Sequence, residues 1–245
     1  MGVNEQLPAP AKAYQPVLDS IEAELRAGRL RVGDQLPGER ALAEQHGISR
    51  ASVRDAMRIL EVMGVVRSGT GSGPTAGNVL ISRPAAGIST ALRMHVASAQ
   101  LSVEEIVQTR ILLESWAAEA TDLEAHPERS RAVLDEAAGL LEAMEDPATP
   151  RGDFHDLDAR FHVLLTSLAG NAVIEAMMES LRLSIRDYVA ESITSEADWD
   201  RVVSTLRAQH REILASVAEG RRSDAARLVA EHIVWFHDRV AKPTR

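Results

Sequence analysis

The 245-residue chain has no cysteine, which excludes a disulfide framework, a thiolate metal site and a cysteine nucleophile. Aromatic residues make up only 3% of it, so any core must be built from Leu, Val, Ile, Ala and Met. No apolar run approaches the length of a membrane span, and Met1 to Lys12 lacks the basic start and apolar centre of a signal peptide. A cytoplasmic location with no membrane partner is the expectation. Convincing strands are scarce as well, and no internal repeat is found. Hydrophobic residues at 45% and charged residues at 26% are those of a soluble globular protein, long enough for one large or two modest domains.

An overall excess of positive charge is also missing, since the net charge is −9. That deficit is unevenly spread. Residues 1–81 hold nine basic and nine acidic residues, and the rest of the chain holds eighteen against twenty-seven. A neutral module is joined to an acidic one, which disfavours a non-specific nucleic-acid coat, whose affinity rises with the phosphates neutralised.

What is present centres on PGERALAEQHGISRASVRDAMRIL, from Pro37 to Leu60. Glu39 to Gln45 reads as a short helix with Leu42 and Ala43 inward, stopped at His46-Gly47 by a glycine where a left-handed residue is required. Ser49 is a suitable N-cap for a second helix running to about Met63. Val53, Ala56, Met57 and Leu60 form its apolar face, and Arg50, Arg54 and Arg58 recur every fourth residue beside it. A basic rail on the second of two such helices is the form of a helix-turn-helix. The plainer alternative, a solvated face with Asp55 among the arginines, loses weight once the continuation is read. Val65 to Arg67 is a short strand, Ser68 to Gly73 a glycine-rich turn, and Asn78 to Ile81 a returning strand, together a β-hairpin wing.

The segment LPGERALAEQHGISRASVRDAMRILEVMGVVRSGTGSG resembles the winged-helix DNA-binding domain of the GntR family. The resemblance covers Tyr14 to about Gly73 and implies that Arg40, Arg50 and Arg54 meet DNA, with Gly71 at the wing tip. Ser49 and Arg58, on the same helix, complete the DNA-facing set. Pro74-Thr75-Ala76-Gly77 stands where the family has a short apolar return strand, which leaves the hairpin's length open.

Around this stretch, residues 1–13 read as disordered, and a helix is expected from Tyr14 to Ala27 within a DNA-binding domain of residues 14–81. Residues 82–87, rich in small residues and broken by Pro84, read as a linker. Residues 88–241 then read as an antiparallel all-α bundle, giving a mainly α fold with one small β-hairpin. Its helices are expected at about 88–98, 102–121, 127–145, 151–168, 172–192, 197–219 and 223–240, with Ser102 and Glu105 forming a capping box.

Asp158 and His162 are four apart and share a helix face, while His210 and His232 lie in the last two long helices. One carboxylate and three imidazoles would suit a divalent metal, zinc first, with nickel, manganese or iron as alternatives. With eight histidines in the chain, spacing alone favours packed or exposed side chains over ligands, and His155 competes for the same face. DLDARFHVLLTSLAGN and LRAQHREILASVAEGRRSDAARLVAEHI resemble the FCD ligand-binding domain of the FadR branch of GntR regulators. That resemblance covers Ile88 to Val240 and implies that Asp158, His162, His210 and His232 hold a metal.

Arg110 and Glu114 are a helix pair at four residues' spacing, where the family commonly shows an arginine and a glutamate. An inward Arg110 would clamp the carboxylate of a small organic acid. Asn171, foremost a helix cap, would by the same resemblance also reach the effector cavity. The implied protein is not an enzyme but a homodimeric regulator, read as a repressor, that binds an inverted-repeat operator and responds to a small carboxylic acid. Two alternatives remain open: a metal-dependent enzyme domain fused to a DNA reader, and a regulator whose helical domain only dimerises.

Overall fold

A computed structural model describes residues 12–69, 77–192 and 196–240, the side chains of 186–198 and 240 excepted. Gly71, and the expected disorder of residues 1–11, lie outside the described residues. The chain divides into two compact units, Met1–Gly87 and Ile88–Arg245.

In the first unit α1 (Gln15–Arg26), α2 (Glu39–His46) and α3 (Arg50–Val62) precede strands β1 (Val66–Gly69) and β2 (Gly77–Leu80). The helices pack through the stripes their spacing sets: Val17 and Ile21 from α1, Leu42 from α2, and Val53, Met57 and Leu60 from α3 share one core with Val66 and Leu80. Gly47 ends α2 at φ +63°, a left-handed conformation that costs glycine little. Ser49 then caps α3, its oxygen accepting the Ser52 amide at 3.0 Å.

The strands pair antiparallel, Val66 opposite Leu80 and Gly69 opposite Gly77. Ser68 and Gly69, expected in the turn, therefore belong to β1. Val65, expected to open the strand, instead donates its amide to Leu60 at 2.9 Å and completes the end of α3, while its carbonyl still accepts Ile81 at 2.8 Å. The expected linker also differs. Pro84 begins α4 (Pro84–Ala97) rather than breaking the chain, because a first-turn proline gives up no helical hydrogen bond.

The second unit is all-α among the described residues. After the remainder of α4 come α5 (Val103–Ala120), α6 (Pro127–Glu145), α7 (Arg151–Thr166), α8 (Ala172–Ser192), α9 (Glu196–Ala218) and α10 (Arg222–Val240). The capping box at Ser102 and Glu105 opens α5, and a single 3-10 turn at Ser167–Ala169 follows α7. The largest core gathers Leu140 and Met144 from α6, Phe154 and Phe161 from α7, Leu206 and Ile213 from α9, and Val229 and Ile233 from α10. A smaller one joins Ile106 of α5 to Met178, Leu181 and Ile185 of α8.

Gly64 gives a test of the packing behind α3. Its φ is +72°, and a Cβ there would collide with the main-chain oxygen of Arg83. Gly64→Ala should cost about 2 kcal/mol or more, from backbone strain plus the clash. Calorimetry should show one transition lowered; an unchanged melt would contradict the close approach.

Candidate metal centre and DNA-facing helix

Four ligand-type side chains of the second unit converge. Asp158 and His162 stand one turn apart on α7, His210 comes from α9 and His232 from α10, and one ligand atom from each lies within 4.8 Å of all the others. His162 Nε2 is 3.1 Å from His232 Nε2, His210 Nε2 is 3.0 Å from Asp158 Oδ1, and His162 Nε2 is 3.7 Å from Asp158 Oδ1. Ligand atoms around an ion with bonds near 2.1 Å are separated by about 3.0 Å at octahedral and about 3.4 Å at tetrahedral angles. The shorter spacings here are of that size.

Proton placement makes the same case. His162 Nδ1 lies 2.6 Å from Glu114 Oε2, and a carboxylate can only accept, so the ring's proton is on Nδ1 and Nε2 carries a lone pair. His232 Nδ1 donates to Gln209 Oε1 at 2.9 Å, so its Nε2 is likewise a lone pair. Two lone pairs facing each other at 3.1 Å repel unless a cation lies between them. His210 is fully buried, and among the described residues neither of its ring nitrogens makes a well-aligned hydrogen bond. The donor set therefore fits a divalent ion: neutral imidazoles, one carboxylate, and ring orientations held from behind.

The support comes from buried charges. Arg182 of α8 donates to Asp158 Oδ2 at 2.7 Å, and Arg110 donates through Nε to Glu114 Oε1 at 3.0 Å. Arg110, Glu114 and Arg182 are all buried. Burial alone would raise the Asp158 carboxyl, but the adjacent Arg182 guanidinium and the histidines outweigh it and hold it well below the usual carboxylate range. Glu114 is shifted the same way, burial being overcome by His162, Arg110 and Arg182. Burial, reinforced by Arg182, lowers His162 to about 4. His232 is driven well below its ordinary value by burial and by the neighbouring His210 and His162.

Beside the ligands is a cavity with about 60 Å³ open to water-sized groups, lined by Arg110, Asp158, Arg182 and His232, by His155 and His237, and by apolar side chains such as Val107 and Ile233. At about 10–15 Å³ for each such group, this is space for a small molecule only. Arg110 thus reaches the cavity as expected, although two of its donors are already taken by Glu114. Asn171 does not line it. Its Oδ1 accepts the Val173 and Ile174 amides at 3.1 and 3.3 Å, the cap role, and the geometry gives no support to an effector contact.

Sequence reasoning missed Arg182 and Gln209, and treated Glu114 only as a helix partner of Arg110. A signal for Arg182 exists: it lies within the apolar stripe Met178, Leu181 and Ile185 of α8, where an uncompensated charge is costly. Gln209 carries no comparable signal.

In the first unit Arg40, Ser49, Arg50, Arg54 and Arg58 are all exposed. Arg40 lies 3.8 Å from Glu44, Arg50 3.8 Å from Glu39 and Arg58 3.7 Å from Asp55. No ion pair is found for Arg54 among the described residues.

A winged helix-turn-helix joined to an all-α unit with a buried cluster of candidate metal ligands points to a class of bacterial regulators, and comparison with known proteins agrees. Residues 105–234 match the FCD domain and residues 13–75 match the model described as bacterial regulatory proteins, gntR family. The chain belongs to the gntR family of bacterial regulatory proteins, in the branch that carries an FCD domain. It is 29% identical over 170 residues to the Uxu operon regulator of Haemophilus influenzae, covering 69% of this chain but only 59% of that protein. It is 28% identical to the transcriptional regulator LutR of Bacillus subtilis, over 87% of this chain and 94% of that one. It is 26% identical to the transcriptional repressor NanR of Edwardsiella tarda, over 91% and 83%. The structure of a GntR protein from Streptococcus agalactiae superposes with a TM-score of 0.62 at 23% identity, over 91% of this chain and 97% of that one, a likeness of fold.

The lowered imidazoles set a pH dependence. The unfolded chain takes up a proton at an ordinary histidine near pH 6.5, whereas folded His162 resists until about 4. Between those values the unfolded state binds more protons, so stability rises with pH and falls on acidification. Metal-free protein, prepared with a chelator, should lose up to about 1.4 kcal/mol per pH unit for each such histidine as pH falls from 6.5 toward 4. Denaturant titrations across that range check it; stability independent of pH would contradict the burial of neutral rings. For the same reason metal loss to proton competition should set in below the value near 6.5 expected for ordinary histidines.

Proposed function

We propose that the protein is a sequence-specific DNA-binding repressor whose operator affinity is controlled by a small organic acid bound beside a divalent metal. The observation that carries this reading is the convergence of Asp158, His162, His210 and His232 beside buried Arg110 and Arg182 in a small cavity. Asp158, His162, His210 and His232 would hold the metal, zinc first among the candidates, and it would supply a positive charge for one oxygen of a carboxylate. The remaining N–H groups of Arg110 suit a second oxygen, since guanidinium recognises carboxylate in forked geometry. Glu114 and Gln209 keep the His162 and His232 lone pairs turned toward the ion, and the apolar wall excludes water.

On the DNA side, the exposed face of α3 enters the major groove, with Arg40, Ser49, Arg50 and Arg58 near the backbone and Arg54 at a base edge. The protein acts as a homodimer in the cytoplasm, two copies reading an inverted repeat. Leu112 and Trp116, one turn apart on α5 and 72% and 45% exposed, supply apolar surface for that association. The relative NanR is described as a repressor, and the Uxu operon regulator by the operon it controls, which favours repression of an operon here. A coupling of about 1–3 kcal/mol between acid and operator suffices for a useful response.

Two measurements test the reading. Purified protein should carry about one divalent ion per chain, and His162→Ala or His232→Ala should abolish it while Arg110→Ala retains it and weakens acid binding. Full metal content in both histidine variants defeats the assignment. Arg54→Ala should cost about 1–3 kcal/mol on a duplex selected from random sequence and much less on a scrambled one. Equal losses on both would make Arg54 a phosphate contact.

A further inference from the structure

The cavity has a second polar side that the metal and the arginines leave unused. His155 and His237 also line it. His155 is only 8% exposed, and its Nε2 is buried without a hydrogen-bond partner among the described residues; the same holds for His237 Nδ1. Buried polar atoms in native proteins are nearly always paired, so two orphans on one cavity wall call for a partner inside it.

Both histidines lie toward the same end of the bundle. The His155 ring is 5.1 Å from Trp199, and His162 is 5.4 Å from His210, so α7 and α9 run in the same sense. α10 returns from α9 through a tight turn at Gly220, with His232 4.7 Å from His210, and so runs opposite to both. His155, three residues before Asp158, and His237, five after His232, are thus displaced from the metal ligands in one direction, by about 4.5 and 7.5 Å at 1.5 Å per residue.

We propose that His155 and His237 form a second recognition point for the effector, one that selects acids bearing a hydroxyl group several bonds from the carboxylate. This rests on the reading of the cavity as an acid site. A hydroxyl matches the chemistry because it both donates and accepts, and so pairs with a neutral imidazole in either tautomer. Burial lowers His155, which keeps it neutral and makes a second carboxylate a poorer partner there than a hydroxyl. The displacement of about 4.5–7.5 Å corresponds to roughly three to five bonds of about 1.5 Å, placing the hydroxyl near C3 or C4 of a short acid. A site that hydrogen-bonds a hydroxyl rejects the analogue without one, because its polar groups are then left unpaired.

The test uses zinc-loaded full-length protein and two pairs of acids differing by one hydroxyl: 3-hydroxypropionate with propionate, and 4-hydroxybutyrate with butyrate. Calorimetric titration should show the hydroxylated member of at least one pair binding about ten-fold tighter or more. His155→Phe and His237→Phe should each reduce that preference several-fold with zinc content unchanged. His155→Gln, which restores a donor and an acceptor, should recover part of it, and so separates lost recognition from lost packing. Equal binding within both pairs by the wild-type protein overturns the inference and leaves the acid site standing. A preference that survives in both phenylalanine variants overturns it as well. No binding of any of the four acids to zinc-loaded protein overturns the acid site and the inference together.

Discussion

The hydrogen bond from His162 to Glu114 is the contact on which the arrangement of the second unit turns. At 2.6 Å, between groups that are both almost fully buried, it fixes which nitrogen of His162 holds the proton and which faces His232 and Asp158. Glu114 could not be there alone, since an isolated buried carboxylate would lose its charge. Arg110 compensates it from the same helix, and Arg182 stands 3.9 Å away while holding Asp158 at 2.7 Å. Removing Arg110 would still leave Glu114 its bond to His162 and Arg182 at 3.9 Å, whereas removing Arg182 would take the guanidinium from Asp158, and breaking a buried pair in that way is far more damaging than the pair is stabilising. The cluster is an expensive way to fill a core, and packing alone gives no reason for it.

Charge balance would link a metal and an acid bound at this site. Arg110 and Arg182 offset Glu114 and Asp158, so the buried cluster is neutral while the imidazoles are neutral. A divalent ion adds two positive charges to that environment, and an anionic ligand relieves them. Each would then strengthen the binding of the other, and the linkage must be reciprocal. Glu114 gives the coupling a physical route, because one of its oxygens meets Arg110 and the other His162. An acid that drew on Arg110 would act on a candidate metal ligand, His162, through a single carboxylate.

The parts of this design legible in the sequence are those encoded by local spacing. Gly47, the Ser49 cap and the inward stripe of α3 follow from dihedral preference and helical period, and the structure has them where expected. Asp158 and His162 follow from the four-residue repeat of a helix face. His210 and His232 are candidates by their places in the last two long helices, but nothing local says that those helices turn the rings toward α7; the family resemblance is what raises them above packed or exposed histidines. Arg182 and Gln209 act across the bundle, at sequence distances of 24 and 23 residues from Asp158 and His232, beyond the reach of any periodicity. The misplaced start of β1 has a local cause: Val65 has the apolar, β-branched character of a strand residue, but its amide is needed to end the preceding helix.

The DNA-facing surface is built on an opposite electrostatic principle. The pairs of Arg40, Arg50 and Arg58 with Glu44, Glu39 and Asp55 are long, 3.7–3.8 Å, and lie at exposed side chains, apart from a half-buried Glu39. Such pairs contribute at most about 1 kcal/mol and are screened by salt, so exchanging a carboxylate for a phosphate costs little. The same carboxylates lie close to any phosphate the arginines would meet, and so hold down affinity for arbitrary sequences. Non-specific affinity rests on the number of phosphates neutralised, and a rail half-cancelled by its own acids neutralises few. Arg54 carries no such cancellation among the described residues. A contact between Arg54 and a correct base edge would then make up a larger share of the total, so a surface with little net charge would discriminate between sequences better than a strongly basic one.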